Sequence, residues 1–450
     1  MRLCGYKREW IVLGLILLGT MPLVSVVGAQ DSSRIALTDS IVKRGVVNID
    51  PYWKLTIDRA FKSGHWYSDK APGVSLLLIP AVEASRAVDA LAKPSDRGKP
   101  IWLRKWTLWG ARLWGGGIAF LVLAFLLGRV AEGLVEGTGA VTAAVFGVGT
   151  MAGSLGPTVF GHVPDALALF AAYIVATRAT RPWDWIWVGL LAGIGVLFEY
   201  PAALAGLILV IYAALRGGQG AALAAVVGAI PAVIVLGAYN WLAFGAPWRL
   251  SYHYTDNMFT QQQQQDLFGV GIPTPHGIWT LLIDGHGLLL VSPVLAIAVA
   301  GLVRFWHRQR LEAAVAAAIA ALFLLYTAGY FLPNGGLSPG PRFATAALPF
   351  LLLGLPFAFV RWRYATWALA ALSVGLALFD ELTWSVANKL DFLAWPETVW
   401  SLLGTSRREG SLILLATGAA AAIVAAAGVI GKRFRERPIG VLESSAPEPL

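Results

Sequence analysis

Five short stretches of this chain gather side chains able to carry chemistry. Asp31 stands in Gln30-Asp31-Ser32-Ser33-Arg34, directly after an apolar run. A carboxylate there can cap the next helix. At the mouth of a cavity between helices it can instead take a proton from a hydroxyl. The second stretch is His65-Trp66-Tyr67-Ser68-Asp69-Lys70-Ala71-Pro72-Gly73. Pro72 suits the first turn of a helix, which would fix Asp69 and Lys70 at a rigid start. Lys70 can meet a phosphate as a point charge, or form with Asp69 a surface pair worth little. Tyr67 can pack on an apolar or sugar ligand, or anchor at a membrane interface. In Gly161-His162-Val163-Pro164-Asp165, His162 and Asp165 are spaced to share one helix face. That is half a metal site, but no other His or Cys cluster completes it, and Asp165 reads better as a cavity carboxylate. Asn240 is a polar residue near the end of an apolar run. Arg342 closes the Gly- and Pro-rich stretch from Asn334 to Phe343. Its planar fork suits phosphate, and an ordinary tight turn with an interfacial Arg is the plainer alternative. Asp380 and Glu381 read as solvated, and Glu199 is left open.

The elements that must position these groups are membrane spans. The chain has 450 residues, 57% hydrophobic and only 14% charged, with a mean hydropathy of +0.65. Soluble domains carry about 25% charged residues, and single cores stop growing near about 250–300 residues. A soluble enzyme, a nucleic-acid module and a disordered chain are therefore excluded. The net charge of +9 is no nucleic-acid footprint, because the basic residues sit between apolar runs. The single cysteine, Cys4, excludes a disulfide framework and a thiolate metal cluster. Runs long enough to span, about 20 residues, lie near 10–29, 72–92, 106–128, 138–156, 161–177, 183–199, 202–215, 221–242, 286–303, 312–331, 343–360, 364–383 and 411–430. The first reads as an uncleaved signal anchor, although Val27-Gly28-Ala29 resembles a cleavage site.

Lys and Arg bias sets orientation. The N-terminus, 93–105, Arg178 with Arg181, Arg216, Arg304–Arg310, Arg361 with Arg363, and Lys432–Arg437 are placed inside. Segments 30–71, 129–137, 243–285, 332–342 and 384–410 then face outside. Residues 138–177 may then cross only once, so 138–156 is expected to be a broken or re-entrant element. A hairpin is expected to turn at Glu199-Tyr200-Pro201. Residues 34–46 alternate as an amphipathic helix lying on the membrane surface, and Gln261–Gln265 reads as a solvated loop tip. The expected fold is an all-α polytopic membrane protein. It has about 12 transmembrane helices and a long first outer loop carrying amphipathic surface helices.

The order of these motifs resembles the GT-C superfamily of membrane glycosyltransferases, in particular bacterial relatives of protein O-mannosyltransferases and lipid A aminoarabinose transferases. The resemblance covers about 25–360. It rests on Asp31 after the first span, on Asp69-Lys70-Ala71-Pro72 at the end of the first outer loop, and on Asp165 opening a later span. Tyr239-Asn240 to Pro247 and Gly335-Gly336 to Arg342 are similar to carrier-lipid-dependent members. Two departures stand out. Ser32 occupies the place where many relatives carry a second acid after Asp31, and Ala71 interrupts the acidic-Lys-Pro-Pro form.

The resemblance implies a GT-C-like catalytic domain over 1–360, further transmembrane helices over 361–430 and a cytoplasmic basic tail over 431–450. It implies a multi-pass protein of the inner (plasma) membrane with its active site facing the periplasm or exterior. The donor would be a polyprenyl-phosphate-linked sugar, and the acceptor a protein, lipid or glycan hydroxyl. Asp31 would be the general base of an inverting transfer. Lys70 and Arg342 would stabilise the departing phosphate, with Asp69, Tyr67, His162, Asp165 and Asn240 binding substrate. No metal ligand is assigned and no cofactor is certain; a divalent cation is left open. Two rivals stand beside this reading. A transporter or glycolipid flippase would keep its polar groups near the bilayer midplane. A non-enzymatic export subunit would tolerate changes at Asp31, Lys70 and Arg342. An enzyme requires those residues to converge on one outer cavity.

Overall fold

The computed structural model describes residues 7–20, 28–84, 105–284, 286–336, 338–387, 407–430 and 434–436. Most of the basic segment 93–105, most of the outer segment 384–410 and residues 437–450 lie outside the described residues. Among the described residues six helices are long and apolar enough to cross a membrane: Leu108–Leu134, Ala202–Phe244, Arg310–Gly329, Arg342–Arg361, Arg363–Leu382 and Ser411–Ile430. Shorter apolar helices run over Gly139–Val148 and Pro182–Phe198. Small residues let these helices meet backbone to backbone. A Cβ at Gly189 would lie 1.7 Å from the Ala225 carbonyl oxygen, and one at Gly228 would lie 2.0 Å from that of Ile186.

The Ala202–Phe244 helix holds 43 residues, with a break at Gly218 (φ 74°, ψ −170°). A straight helix of that length would reach about 65 Å. Instead both of its ends lie at the same end of the molecule. Ala202 packs near Gly195, and Phe244 packs on Tyr67 of the first outer segment. The chain therefore turns back at Gly218, as the separate runs 202–215 and 221–242 imply. The expected turn at 199–201 is present between the helices ending at Phe198 and starting at Ala202.

The molecule has two polar ends. One, here the site end, collects the first outer segment, Thr255 bridged to Ala60, and Val270 bridged to Tyr330. The opposite end holds Arg216 ion-paired with Glu312 at 3.2 Å, and Phe434 against Trp367 and Phe359. This arrangement corrects the expected orientation of 129–137. Val135 pairs with Glu436 and Glu136 with Arg435 in a short antiparallel ladder. These segments cannot lie on opposite faces of a bilayer, so 129–137 belongs to the far end. The helix that leads there starts at the site end, where Arg112 binds Asp31 at 2.6 Å. Residues 138–178 then cross twice, through Gly139–Val148 and Ala152–Leu155 to the site end and back through His162–Arg178. The 138–156 element is interrupted but not re-entrant. The described end of the tail, 434–436, is packed structure.

The first outer segment also differs from expectation. The helix Ala29–Arg44 is present, but all residues from Gln30 to Ser40 are buried. It lies inside the protein, because its polar groups are bonded by elements far away in sequence. A β-hairpin follows, Arg59–Lys62 against His65–Ser68. Its outer surface stacks Trp53 on Trp66 at 4.8 Å, and its inner surface leads into Asp69 and Lys70. In the second outer segment Gln263 is 9% exposed, so the glutamine run is only partly a solvated tip. Asp380 is not solvated either: at 2% exposed it pairs with His286 at 2.8 Å, because the turn before Leu288–Val291 packs on its helix.

Candidate active site

The helix Ala29–Arg44 contributes two charges one turn apart. Asp31 Oδ2 accepts from the Arg112 guanidinium at 2.6 Å, and its Oδ1 accepts from the Val159 backbone N–H at 2.8 Å. Both side chains of that ion pair are 1% exposed. Arg34, three residues on, donates to Gln30 Oε1 at 2.6 Å and to Glu199 Oε1 at 2.7 Å. Glu199 sits in the tight turn between two helices. Gly161 is required there, since a Cβ at that position would lie 2.3 Å from Glu199 Oε1. His162 Nδ1 lies 3.6 Å from the same oxygen.

The hairpin supplies the next group. Lys70 lies 3.4 Å from Asp58 and 3.3 Å from Asp69. Asp69 is fully buried, and burial pushes its carboxyl up to about 7 against the pull of Lys70. Burial acts to lower the Lys70 ammonium, but Asp58 and Asp69 outweigh it and hold the group above its usual range. Glu199 is pushed up by burial, while Arg34, Lys70 and Arg342 pull it down. All three cations therefore reach one carboxylate.

Arg342 opens the irregular helix Arg342–Arg361. Its guanidinium lies 5.6 Å from the Phe160 ring and 5.3 Å from the Phe343 ring. Its buried Nε has no hydrogen-bond partner, and no carboxylate pairs with it among the described residues. Gly335 and Gly336 both take positive φ, 77° and 75°, and Gly335 lets the chain pass against the Arg342 stem. A small cavity lies beside Phe343, lined by His162, Asp165, Glu199, Pro201, Phe323, Tyr326 and Ala346.

Lys70, Asp69, His162, Asp165 and Arg342 thus share one end and one neighbourhood. Asp31 sits beside them, locked to Arg112 behind the Val159 backbone. Tyr67 and Asn240 serve the surrounding scaffold: Tyr67 packs on Phe244 at 5.4 Å, and Asn240 donates to the Pro247 carbonyl at 3.1 Å. Four charged residues escaped the sequence reading as site members: Arg34, Asp58, Arg112 and Glu199. Arg34 had a readable signal, a lone cation at i+3 from Asp31 and i+4 from Gln30. Arg112 and Glu199 had none beyond being ionisable residues within apolar stretches. Among the described residues no group of three or more His, Cys, Asp or Glu side chains is placed to hold a metal ion.

No family model and no curated protein matches this chain. Solved structures of similar arrangement exist. ArnT from Cupriavidus metallidurans bound to undecaprenyl phosphate is 12% identical, over 95% of this chain and 77% of that one, with a TM-score of 0.49. The archaeal oligosaccharyltransferase AglB from Archaeoglobus fulgidus is 13% identical, over 93% and 56%, at 0.47. The arabinosyltransferase EmbB from Mycobacterium smegmatis is 14% identical, over 94% and 40%, at 0.45. The likeness is loose, and nothing about activity follows from it.

Proposed function

We propose that this protein is a membrane glycosyltransferase that moves a sugar from a polyprenyl-phosphate carrier to an acceptor hydroxyl. The observation that carries the proposal is Arg342. A guanidinium whose inner nitrogen has no partner, set between two phenyl rings and next to Lys70 and Arg34, is an incomplete anion site. A phosphate completes it with bidentate, charge-assisted hydrogen bonds. The carrier's lipid tail would lie along the apolar helices. The acceptor oxygen would attack the anomeric carbon with inversion as the carbon–phosphate oxygen bond breaks. The leaving phosphate would gather its charge on Arg342 and Lys70. The site end is assigned to the exterior.

Asp31 is proposed as the base that takes the acceptor's proton. Its pair with Arg112 keeps it buried, so acceptor entry must open that pair. The same pair favours a second reading, in which Asp31 and Arg112 are a structural clamp. Asp31→Asn alone breaks a buried ion pair and destabilises under either reading. The double variant Asp31→Asn with Arg112→Gln removes both charges and separates them. Recovered thermal stability with transfer still reduced about 100-fold or more supports the base. Recovered stability with recovered transfer leaves only the clamp. The activity itself is tested by incubating the purified protein with radiolabelled polyprenyl-phosphate sugars and a membrane extract, then identifying the labelled acceptor. Uptake of label into vesicles without a covalent product would replace the enzyme with a transporter.

A further inference from the structure

The span Leu108–Leu134 is not a uniform helix. At its site end Leu113–Gly117 form one wider turn of the π type, in which the Ile118 N–H bonds to the Leu113 carbonyl. Such a turn holds one residue more than an α-turn, and one residue carries about 100° of rotation and about 1.5 Å of rise. The helix before the turn is therefore phased differently from the helix beyond it. Arg112 is the last residue before the turn, and its guanidinium donates to Asp31 Oδ2 at 2.6 Å.

The far side of the turn is fixed. A Cβ at Gly116 would lie 2.3 Å from the Thr158 carbonyl oxygen and 2.5 Å from that of Gly156. The Trp114 indole N–H donates to the Leu77 carbonyl at 2.8 Å. The loop that Gly116 touches also sends the Val159 N–H to Asp31 Oδ1 at 2.8 Å. The π-turn and the carboxylate thus hold one loop from two sides. With Gly116 and Trp114 in place, loss of the extra residue would rotate Arg112 by about 100°. Asp31 would lose the guanidinium from one oxygen and keep the Val159 N–H on the other.

We infer that the Leu113–Gly117 π-turn is a positioning element for Asp31: its extra residue seats Arg112 on the carboxylate, and regularising the turn unseats it. The inference rests on the reading of Asp31 as the base, and it supplies the movement by which acceptor entry opens the pair. Opened in this way, Oδ2 is released to take a proton while the main chain keeps Oδ1 oriented. Gly115, Gly116 and Gly117 give the turn the backbone freedom that the change needs. A π-turn that served only the close approach at Gly116 would be indifferent to the charges at 31 and 112.

The test is a thermal-unfolding cycle on the full chain in detergent micelles. Deletion of Leu113 removes the extra residue and leaves Trp114 and the three glycines. It is made in the parent and in the double variant Asp31→Asn with Arg112→Gln. The deletion also rotates Leu108 and Ala111, both buried. That cost is common to the two backgrounds, so the difference between them isolates the pair. The midpoint is expected to fall at least about 4 °C further in the parent, because only the parent has a buried ion pair to break. A second measurement needs no deletion and decides the matter even where the shortened chains do not fold. Hydrogen exchange of the amides at 113–118 is expected to be at least about tenfold faster in the double variant than in the parent, with 119–134 unchanged. An equal fall of the midpoint in both backgrounds, or unchanged exchange at 113–118, overturns the inference. Neither readout involves sugar transfer, so its failure leaves the glycosyltransferase reading standing, and absence of a labelled acceptor leaves the coupling of turn and ion pair standing.

Discussion

Arg342 holds its charge between two phenyl rings with no carboxylate in ion-pair contact among the described residues, and this decides how its substitutions should behave. Truncation to Ala removes the fork and the charge together. We expect Arg342→Ala to lower transfer about 10–100-fold, the worth of a hydrogen bond to a charged group, with little loss of stability because no ion pair is broken. Arg342→Lys keeps the charge but not the planar fork, and should fall between. Transfer rates of the three proteins measured at saturating acceptor settle the order; an Ala variant as active as the parent would remove Arg342 from the site. Asp69 gives a second residue-scale expectation. Its folded value of about 7 lies above the ordinary 3.8, so folding takes up a proton between those limits. Its contribution to stability is complete below about pH 4 and fades as pH rises towards 7. The carbonyl infrared band of protonated Asp69, isolated by difference against Asp69→Asn, should vanish with a midpoint near pH 7. A midpoint near 4 would show that burial does not govern the group.

The elements around these residues were legible in unequal measure. Among the described residues the apolar runs at 106–128, 161–177, 183–199, 202–215, 221–242, 312–331 and 364–383 became helices, and Glu199-Tyr200-Pro201 marked a real turn, because hydrophobic length and Pro are local signals. The burial of Ala29–Arg44 was not legible. Gln30, Asp31, Ser32, Ser33 and Arg34 look like a solvated helix start. Their partners lie 81 residues away for Asp31 with Arg112 and 165 residues away for Arg34 with Glu199. Polar patterning cannot separate a wet surface from a satisfied interior when the partners come from other helices. The junction that makes this possible is Gly161, whose missing side chain leaves room for the Arg34–Glu199 pair. Gly161→Ala would place a methyl against both partners. It should cost about 1–3 kcal/mol by overpacking and weaken farnesyl phosphate binding through Arg34 and Glu199. Thermal unfolding and displacement of radiolabelled farnesyl phosphate read the two effects separately, and unchanged values in both would show that the turn can give way.

At the scale of the molecule, the error in the orientation of 129–137 is instructive. Positive-inside counting treated the basic segment 93–105 as a cytoplasmic loop, and parity then forced 138–156 into a re-entrant shape. The pairing of 135–136 with 435–436 removes the conflict without any unusual element. Two reporters distinguish the arrangements. Lys54 is exposed in the short turn Trp53–Leu55 before the hairpin at the site end, and Glu136 is exposed in the far-end ladder. In a Cys4→Ser background, Lys54→Cys and Glu136→Cys should react with a membrane-impermeant maleimide from opposite faces of the membrane. Arg216→Cys, at the far end with Glu312, should follow Glu136→Cys. Labelling of all three from intact cells, or of Glu136→Cys together with Lys54→Cys alone, would break the two-ended arrangement. Labelling of Lys54→Cys from outside and of the other two only after permeabilisation would place the Arg342 mouth on the exterior face, where a lipid-linked donor and an external acceptor must meet.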